Sequence, residues 1–524
     1  MIIVMVGGFF RFYNLDWDLG HYFHPDERNI AVAVTRIHFL DQLNPKFFAY
    51  GGLTVYLYRA LAELVSAISG KEKWLMEWGA INLIGRYTTA LISTITLIII
   101  YKLGNRVLGK KYALLATFWA AIVPGLVQIA HYDITENWLI FWGVLITLLA
   151  LKLSKNISWK NYLWLGIALG LAVATKITAL AFLSVVGVSQ IKGRSWMKLG
   201  VMLVVAGMVF CVFSPYTFLD WAEFSKSMNY ENGVVSGKYK VVYVLQFEKT
   251  IPYLFQLKNS LWQLGGIAIL GGLGIIIMLI WAIKKKKWEY LIFLSFPLAY
   301  FGYVGMWYTK FIRYMSPLLP FMIIGAAWML KIIRRRSLTG YRILLVVSVG
   351  ITIFWGLAFL RIYQKPQTRV LASEWIYQNV AMGSKIITEH WDDGLPIPLG
   401  MNNPGQYESV SLTVWEPDNE QKAKYLATEL EWADYIFINS RRNYGVISKL
   451  PQRYPITAKY YQRLFKGELG YQKVAEFSSY PTFLGIIIND DLSEETFQVI
   501  DHPKIYLYKN MGRFSQQELE ELVR

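Results

Sequence analysis

The sequence is poor in cysteine and contains none of the short motifs that mark nucleotide-driven proteins. Its single cysteine, Cys211, lies in an apolar run, so an intrachain disulfide and a cysteine zinc site are excluded. A lone apolar cysteine is usually a small core residue, and we expect that of Cys211. The sequence has no Walker loop, dinucleotide fingerprint or zinc-ligand spacing, which argues against an ATP-driven pump.

Acidic residues are nearly absent from a series of long hydrophobic runs. Hydrophobic residues make up 55% of the 524 residues and the mean hydropathy is +0.33, above the range of a soluble enzyme. Counting a partial first span at the N-terminus, we predict a polytopic α-helical membrane protein with about eleven transmembrane helices. The runs that predict the other spans are Tyr87–Tyr101, Tyr112–Tyr132, Asn137–Leu151, Asn161–Thr175, Ile177–Ile191, Leu199–Leu219, Asn259–Ile283, Leu291–Thr309, Tyr314–Leu330 and Ile343–Leu360.

Positive charge is concentrated in this hydrophobic part of the chain. Residues 364–524 contain 17 Lys and Arg against 21 Asp and Glu, a balance of −4, so residues 1–363 carry +21 and the whole chain +17. The basic residues cluster after every second span, as the positive-inside rule expects of cytoplasmic loops. We therefore predict a multi-pass protein of the plasma membrane with a cytoplasmic N-terminus, and nucleic-acid binding is a weak interpretation. The clusters are Lys102/Arg106/Lys110/Lys111, Lys152/Lys155/Lys160, Lys192/Arg194/Lys198, Lys284–Lys287 and Lys331/Arg334/Arg335/Arg336/Arg342.

This topology divides the chain into a membrane domain, residues 1–363, and an extracytoplasmic domain, residues 364–524. Residues 12–78 form the first outer loop, where apolar residues at helical spacing predict interfacial helices. Residues 214–258 form a further outer loop. The C-terminal domain is predicted to be a soluble α/β unit. Its predicted elements are a helix over Gln367–Val380 and strands over Lys385–Glu389, Asp434–Ser440, Tyr471–Ser479 and Lys504–Tyr508.

Two adjacent carboxylates occur in the first outer loop, in the sequence His24-Pro25-Asp26-Glu27. Pro25 suits the first turn of a helix, and carboxylates just after it are favoured by the helix dipole, by about 0.3–1 kcal/mol. One interpretation is therefore that the pair stabilises a helix start. The other is catalysis, which needs a carboxylate that is held ionised and can take a proton from a hydroxyl. Binding of a divalent metal by His21, His24 and Asp26 is a third interpretation, for which the spacing is weak evidence.

A second acidic segment, residues 131–136, lies at the mouth of a span and contains His131, Asp133 and Glu136. Two carboxylates and a histidine are unusual in this position. The segment either belongs to a site or caps the following span, because Asp133 and Thr135 are suitable caps for a helix that begins near Asn137.

Four basic residues lie at the outer ends of spans, opposite to the side that the positive-inside rule favours. A lone cation at a helix end is usually a snorkelling anchor. Four on one face indicate binding of a phosphate at headgroup depth, since Arg can bond phosphate oxygens bidentately. The four residues are Arg86, Lys176, Lys310 and Arg313.

In order and spacing, these segments resemble the polyprenyl-phosphate-sugar-dependent glycosyltransferases of the GT-C class. The group in question is related to dolichyl-phosphate-mannose–protein mannosyltransferases and bacterial aminoarabinose transferases. The resemblance extends over nearly the whole length. The residues that carry it are Arg11-Phe12 through His24-Pro25-Asp26-Glu27, Gly85-Arg86-Tyr87 through Gly104, Ala130-His131-Tyr132 with Thr135 and Glu136, Gly170-Leu171-Ala172 with Thr175-Lys176, Arg313-Tyr314 with Pro317 and Pro320, Ala372 to Trp375-Ile376, and His390-Trp391-Asp392.

The resemblance implies an inverting glycosyltransferase of GT-C type. It would move a monosaccharide from a polyprenyl-phosphate carrier to a hydroxyl of an acceptor protein, lipid or glycan on the extracytoplasmic face. Asp26 would be the general base and Glu27 would support it. The residues implied to bind the donor phosphate are Arg86, Lys176, Arg313 and Tyr314. No cofactor is required, although a divalent metal is compatible with three candidate ligands, Asp26, His24 and Glu136.

The second acidic segment departs from the family pattern. Family members often end this segment with Asp and have Thr two residues earlier, whereas here Thr135 directly precedes Glu136. Whether Asp133 or Glu136 takes the family role is left open.

The main alternative function is that of a transporter or flippase for a lipid-linked sugar. A membrane receptor whose tail binds glycans is a third interpretation. Transporters usually place ionisable groups and broken helices near the bilayer midplane. Here the carboxylates fall in outer loops, which favours the enzyme.

Overall fold

The computed structural model describes residues 1–191 and 195–524. The chain divides into two compact units, the first comprising Met1–Ser236 and Thr250–Leu360 and the second Gly237–Lys249 and Arg361–Arg524. Residues 237–249, which the sequence placed in an outer loop of the membrane domain, thus belong with the C-terminal part of the chain. Lys192 and Arg194, which we named in one basic cluster, lie outside the described residues.

The described part of the first unit is α-helical. Short 3₁₀ helices at Ile177–Phe182 and Ile312–Leu318 lead into two of its helices. The α-helices are α1 (Ile2–Phe12), α2 (Pro25–Thr35), α3 (Gly52–Ser69), α4 (Lys73–Met76), α5 (Trp78–Leu108), α6 (Lys110–Ile122), α7 (Pro124–Ala130), α8 (Thr135–Leu153), α9 (Trp159–Thr175), α10 (Leu183–Gln190), α11 (Trp196–Phe213), α12 (Tyr216–Leu219), α13 (Trp221–Ser236), α14 (Leu254–Leu264), α15 (Ile267–Lys284), α16 (Trp288–Val304), α17 (Leu319–Arg336) and α18 (Leu338–Leu360).

Several of these helices are long and apolar enough to cross a membrane. Among the described residues, six qualify by length and composition, or seven if the bent pair α6–α7 is one span. The six are α5, α8, α11, α15, Ile312–Arg336 and the helical stretch that begins with α18. The predicted total of about eleven crossings stays a prediction, because the shorter apolar helices do not pass the same test.

The bend between α6 and α7 has a local cause. The two helices meet at 55° beside Pro124, which has no N–H to donate to the carbonyl of Ala120. The buried guanidinium of Arg11 supplies the missing donors, at 2.9 Å to the Ala120 oxygen and 2.8 Å to the Ala121 oxygen. The charged side chain of Arg11, at the end of the apolar helix α1, thereby provides hydrogen bonds for the backbone carbonyls at the end of α6.

Two expectations for the spans were wrong. The run Asn259–Ile283 is not one helix, because α14 ends at Leu264 and Gly265, with a φ of 62°, interrupts it before α15 begins. Cys211 is not a core residue but is exposed on α11. Only 11% of the apolar window of α11 is buried within the protein, so most of this helix is available to lipid.

The second unit contains a mixed sheet of five strands in the order β2-β1-β3-β7-β4. Strands β2, β1 and β3 are parallel, and β7 runs antiparallel to β3 and to β4. Buried residues on β1, β2 and β3 pack with α20 and α22 into its hydrophobic core. The strands are β1 (Lys385–Glu389), β2 (Glu408–Leu412), β3 (Tyr435–Ile438), β4 (Tyr471–Phe477), the hairpin β5 (Thr482–Phe483) and β6 (Ile486–Ile487), and β7 (Ile505–Asn510). The helices are α19 (Thr368–Asn379), α20 (Glu420–Trp432), α21 (Tyr444–Ile447), α22 (Pro455–Lys466) and α23 (Gln516–Val523).

Candidate functional site

Two clusters of paired charges lie in the first unit, one fully buried and the other partly exposed. Asp26 and Glu27, which are neighbours in sequence, point into different clusters. The members are Asp18, Glu27 and Arg86 in the Arg86 cluster, and Asp26, Glu136, Lys176 and Arg313 in the Arg313 cluster.

The start of α2 positions both carboxylates. Helix α2 begins at Pro25, and the Nδ1 atom of His24 caps it by accepting the backbone N–H of Asp26 at 3.1 Å. Asp26 and Glu27 follow in the first turn, where the helix dipole favours negative charge. The predicted helix start is therefore present, and it is compatible with either interpretation of the pair.

The Arg86 cluster is closed. All five N–H groups of the Arg86 guanidinium are used: four in bidentate pairs with Asp18 and Glu27, at 2.6–2.9 Å, and the fifth to the Leu15 carbonyl at 3.0 Å. The ring of Trp17 covers the guanidinium at 4.7 Å, and Arg86 is only 2% exposed. The structure thus commits Arg86, which we expected at the donor phosphate, to holding the first outer loop against α5. It has no N–H left for a ligand.

Asp133 lies behind the Arg86 cluster. Its backbone N–H donates to Glu27 at 2.7 Å, and its carboxylate packs on Gly85, where a Cβ atom would be 2.0 Å from Oδ2. Burial, and then the charge of Glu27, raise the pKa of the Asp133 carboxyl well above its ordinary value. Helix α8 begins at Thr135 without a side-chain cap, so the expectation that Asp133 or Thr135 caps it was wrong.

The Arg313 cluster is the open one. Arg313 Nη2 lies 3.2 Å from Asp26 Oδ2, and Lys176 Nζ lies 2.8 Å from Glu136 Oε1. Arg313 Nε is a further 4.0 Å from the same Glu136 oxygen. The side chains of Asp26, Lys176 and Arg313 are 15–17% exposed, so a ligand can reach them. Of the two candidate acids in the second segment, it is Glu136 that joins Asp26.

The surroundings of Asp26 keep it ionised. Burial by itself would raise the pKa of this carboxyl, but Arg313, His24 and Lys176 lower it below its ordinary value. The Tyr50 hydroxyl also donates to it. Burial, and then the charge of Asp26, raise the pKa of the Tyr50 phenol well above its usual value, so Tyr50 stays a donor.

Lys176 has an extended backbone conformation and lies between two helices. It follows α9 and precedes the 3₁₀ helix Ile177–Phe182, at the turn where the sequence placed it. The backbone of Gly51 donates to the Thr175 carbonyl at 2.9 Å, and a Cβ on Gly51 would be 1.9 Å from the Ala174 oxygen. This close approach brings the ring of Tyr50 to 4.9 Å from Lys176 Nζ.

The remaining predicted residues are divided between the open site and its frame. Tyr314 lies within the open site, with its ring 5.5 Å from the Arg313 guanidinium and 5.9 Å from Lys176 Nζ. His131 is fully buried, and its two ring nitrogens face the backbone oxygens of Val127 and Tyr13 at 2.9 and 3.0 Å. It therefore fastens the end of α1 to α7 and does not face the Arg313 cluster.

Sequence reasoning missed two residues that face the open site. One is Tyr50, described above. The other is Glu231 on α13, whose pKa is raised by burial while Lys176 and Arg313 lower it. Glu231 lies in the predicted outer loop 214–258. Neither Tyr50 nor Glu231 belongs to a local sequence motif that would have identified it as a site residue.

The candidate metal ligands do not form a metal site. His24 Nδ1 accepts a backbone N–H, so in the neutral ring Nε2 carries the proton and has no lone pair for a metal. Glu136 is already paired with Lys176. Within residues 1–191 and 195–524, no group of three or more His, Cys, Asp or Glu side chains is arranged to hold a metal ion.

Comparison with known proteins adds one match to a family model and several solved structures of similar fold. Residues 56–218 match the family model of dolichyl-phosphate-mannose-protein mannosyltransferase. No curated protein sequence matches the chain significantly.

Among solved structures, the archaeal oligosaccharyltransferase AglB from Archaeoglobus fulgidus, in complex with an inhibitory peptide and a dolichol-phosphate, is similar to this chain. It has 14% identity over 93% of this chain and 74% of its own, with a TM-score of 0.51. The Archaeoglobus fulgidus oligosaccharyltransferase tethered with an acceptor peptide has 15% identity over 94% of this chain and 74% of its own, also with a TM-score of 0.51. ArnT from Cupriavidus metallidurans in the apo state is 15% identical over 86% of this chain and 94% of its own, with a TM-score of 0.51.

These similarities establish the fold class. The predicted architecture, a multi-pass α-helical membrane protein with a C-terminal sheet domain and the GT-C fold, is confirmed. With the family match, the predicted resemblance to the GT-C class and the prediction of a glycosyltransferase are confirmed as well.

Proposed function

We propose that this protein transfers a monosaccharide from a polyprenyl phosphate to an acceptor hydroxyl at the extracytoplasmic face of the membrane. The observation that carries the proposal is the convergence of Asp26, Lys176 and Arg313 in one partly exposed cluster. It combines an ionised carboxylate with two cations that can hold a phosphate. The bound dolichol-phosphate in the AglB structure supports the same class of donor.

In the proposed reaction, Asp26 takes the proton of the acceptor hydroxyl as its oxygen attacks the anomeric carbon. The bond between that carbon and the phosphate oxygen breaks, and the lipid phosphate leaves with the electron pair. Attack opposite to the leaving group inverts the anomeric centre. Lys176 and Arg313 neutralise the charge that grows on the phosphate, which is usually the largest electrostatic contribution in such sites.

Binding of the donor also strengthens the base. In the free protein Arg313 lowers the pKa of Asp26, which makes the carboxylate a weak proton acceptor. A phosphate on Arg313 offsets part of this positive charge, and the pKa of Asp26 then rises towards the range of a useful general base. The geometry thus couples base strength to the presence of the donor.

An apolar cavity of about 500 Å³ beside Lys176 suits the lipid tail of the donor. It begins at Ile177, the residue after Lys176, and runs between the segment 177–184 and α16. Among its lining residues, which include Leu180, Tyr300 and Trp307, none is charged.

Glu27 and Arg86 are assigned to positioning: they fix the first outer loop that presents Asp26.

The test is Asp26→Asn, assayed in membranes incubated with a panel of polyprenyl-phosphate monosaccharides, with products identified by mass. Because a positioned base contributes about 10²–10⁴-fold, transfer should fall by at least two orders of magnitude while thermal stability is kept. Asp41→Asn, an exposed carboxylate in the same loop, is the matched control and should transfer at the normal rate. A normal rate for Asp26→Asn overturns the assignment of the base, and movement of the intact lipid-linked sugar without transfer identifies a transporter instead.

A further inference from the structure

The strand order of the second unit predicts a crevice at one edge of its sheet. Strands β2, β1 and β3 are parallel, so their carboxyl ends meet at this edge. The chain leaves β1 towards β2, on one side, and leaves β3 towards the opposite side of the sheet. Loops that diverge in this way leave a crevice between them, which is where open α/β sheets bind ligands.

One wall of the crevice is aromatic. The ring of Trp391, just after β1, lies 5.4 Å from His390, 6.0 Å from Trp415 and 5.9 Å from Tyr243, measured between centroids. Trp391 remains 38% exposed and His390 is exposed as well. A flat, accessible aromatic ring of this kind can stack against the C–H face of a sugar ring. A cluster of four aromatic rings is unusual for a loop whose side chains only face solvent.

The other wall carries charge and hydrogen-bonding groups. Arg442, after β3, bonds Glu495 at 2.7 Å, and Ser440 donates to Asp392. Asp392 in turn pairs with Arg369 at 3.0 Å, so this wall is rigid. Asp393, two residues after Trp391 in the same loop, is 21% exposed, and its Oδ2 lies 3.9 Å from Arg369 Nε. Carboxylate and guanidinium groups next to an aromatic face are the donors and acceptors that adjacent sugar hydroxyls require.

Trp391 is held in a strained conformation. Its φ is +74°, a backbone conformation that a residue with a bulky side chain rarely adopts. Such conformations are energetically unfavourable and cluster at functional sites. Arg442 Nη1 donates to the Trp391 carbonyl at 3.1 Å and so keeps the backbone in place. The fold therefore maintains an unfavourable backbone in order to present this ring.

We propose that the crevice formed by His390, Trp391, Asp393, Trp415 and Arg442, all of the second unit, is a saccharide-binding site. Its chemistry selects a neutral glycan that places one sugar on Trp391 and directs hydroxyls to Asp393 and Arg442. The site binds its glycan whether or not transfer occurs, so the proposal does not depend on the assignment of Asp26.

The test measures binding of mannotriose, maltotriose and chitotriose to the full chain in lipid nanodiscs by saturation-transfer difference NMR. At least one trisaccharide should give a signal, and Trp391→Gly should reduce it at least fivefold. Glycine accepts a positive φ without strain, so this variant loses the ring while its folding is preserved. Asp393→Asn is a second variant and should weaken the same signal.

Trp432→Ala is the matched control. Trp432 lies beside Lys385, at the opposite end of β1, and its removal should leave binding unchanged. The proposal is overturned if none of the three trisaccharides binds, or if Trp391→Gly binds as well as the wild type. The proposal is also overturned, in favour of a peptide-binding site, if a serine- or threonine-containing peptide binds through Trp391 and the three trisaccharides do not bind.

Discussion

At the scale of single residues, surroundings decide what an arginine does. Arg86 and Arg313 both lie at the outer end of a predicted span, and both were expected to bind the donor phosphate. In the structure Arg86 is saturated by two buried carboxylates, whereas Arg313 lies 3.2 Å from Asp26 and 4.0 Å from Glu136 and keeps a partly exposed side chain. The same residue type is therefore a structural tie at Arg86, whereas at Arg313 we propose that it binds the donor phosphate.

The same substitution at both positions separates these roles. Arg86→Lys leaves Asp18 and Glu27 buried without their bidentate partner, and incompletely paired buried charges cost about 3–5 kcal/mol. We expect a marked drop in the unfolding midpoint of purified protein. Arg313→Lys should change the midpoint little but raise the KM for the lipid-phosphate donor about tenfold or more, because a point charge replaces a bidentate fork. Equal midpoints for the two variants would contradict the assignment.

At the residue scale, the sequence pointed to most of the charged residues that the structure brings together in the Arg313 cluster. Asp26, Glu136, Lys176 and Arg313 were all singled out, and they meet in one cluster. Each is a charge in an apolar neighbourhood, which is a signal that sequence can provide. Tyr50 was missed because it enters the site through the contact of Gly51 with the end of α9, more than 120 residues away along the chain.

At the scale of elements, helix contacts depend on glycines that the hydrophobic pattern does not distinguish. Helices α15 and α17 touch through Gly271, Gly274 and Gly325, where backbones meet directly. A Cβ on Gly274 would be 2.1 Å from the Gly325 oxygen. By contrast, a Cβ on Gly272 would have nothing within 4 Å.

We therefore predict opposite outcomes for two alanine substitutions within α15. Gly274→Ala forces the helices apart and should destabilise the protein by about 1–3 kcal/mol, the usual range for overpacking. Gly272→Ala should be neutral or slightly stabilising, since Ala is the better helix former. Thermal unfolding in one detergent compares the two directly. A loss of stability for Gly272→Ala as large as that for Gly274→Ala would show that the close approach is not what matters.

The sequence also predicted one helix and four strands of the second unit, and two of its errors have local causes. The helix α19 and strands β1, β3, β4 and β7 lie within a few residues of their predicted bounds. Strand β2 was missed because it is at the edge of the sheet and only Leu412 is buried, which leaves no apolar pattern. The break at Gly265 was missed because the apolar run continues through it.

At the scale of the whole molecule, the chain divides into two compact units. The second unit contains a buried triad in which His502 lies between two carboxylates, 2.5 Å from Asp501 and 2.6 Å from Asp490. Tyr363 donates to Asp501 at 2.8 Å, so the triad also ties the start of this unit to its last strands. Burial alone would lower the pKa of His502, but Asp501 and Asp490 raise it to about 10.

This triad predicts a pH-dependent stability for the second unit. Because the folded pKa of His502 lies above its unfolded value of about 6.5, the contribution is complete below that pH and is lost as pH rises through about 10. Amide hydrogen exchange over residues 490–502 should therefore accelerate between pH 7 and 10, after correction for the intrinsic exchange rate. In His502→Gln the corrected protection should be lower throughout and nearly flat over this window. A wild-type profile without this slope would contradict the assignment of a charged His502.

The sequence by itself determined the membrane character, the α/β nature of the C-terminal part and the charged residues of the open site. These follow from local composition, since hydrophobic length, strand alternation and isolated charges are visible along the chain. Only the tertiary structure decided which charges pair, because a guanidinium is either satisfied or open according to partners distant in sequence. It also assigned residues 237–249 to the second unit, because Leu245 packs into the core of that unit, and it brought Tyr243 and Trp415 to the ring of Trp391.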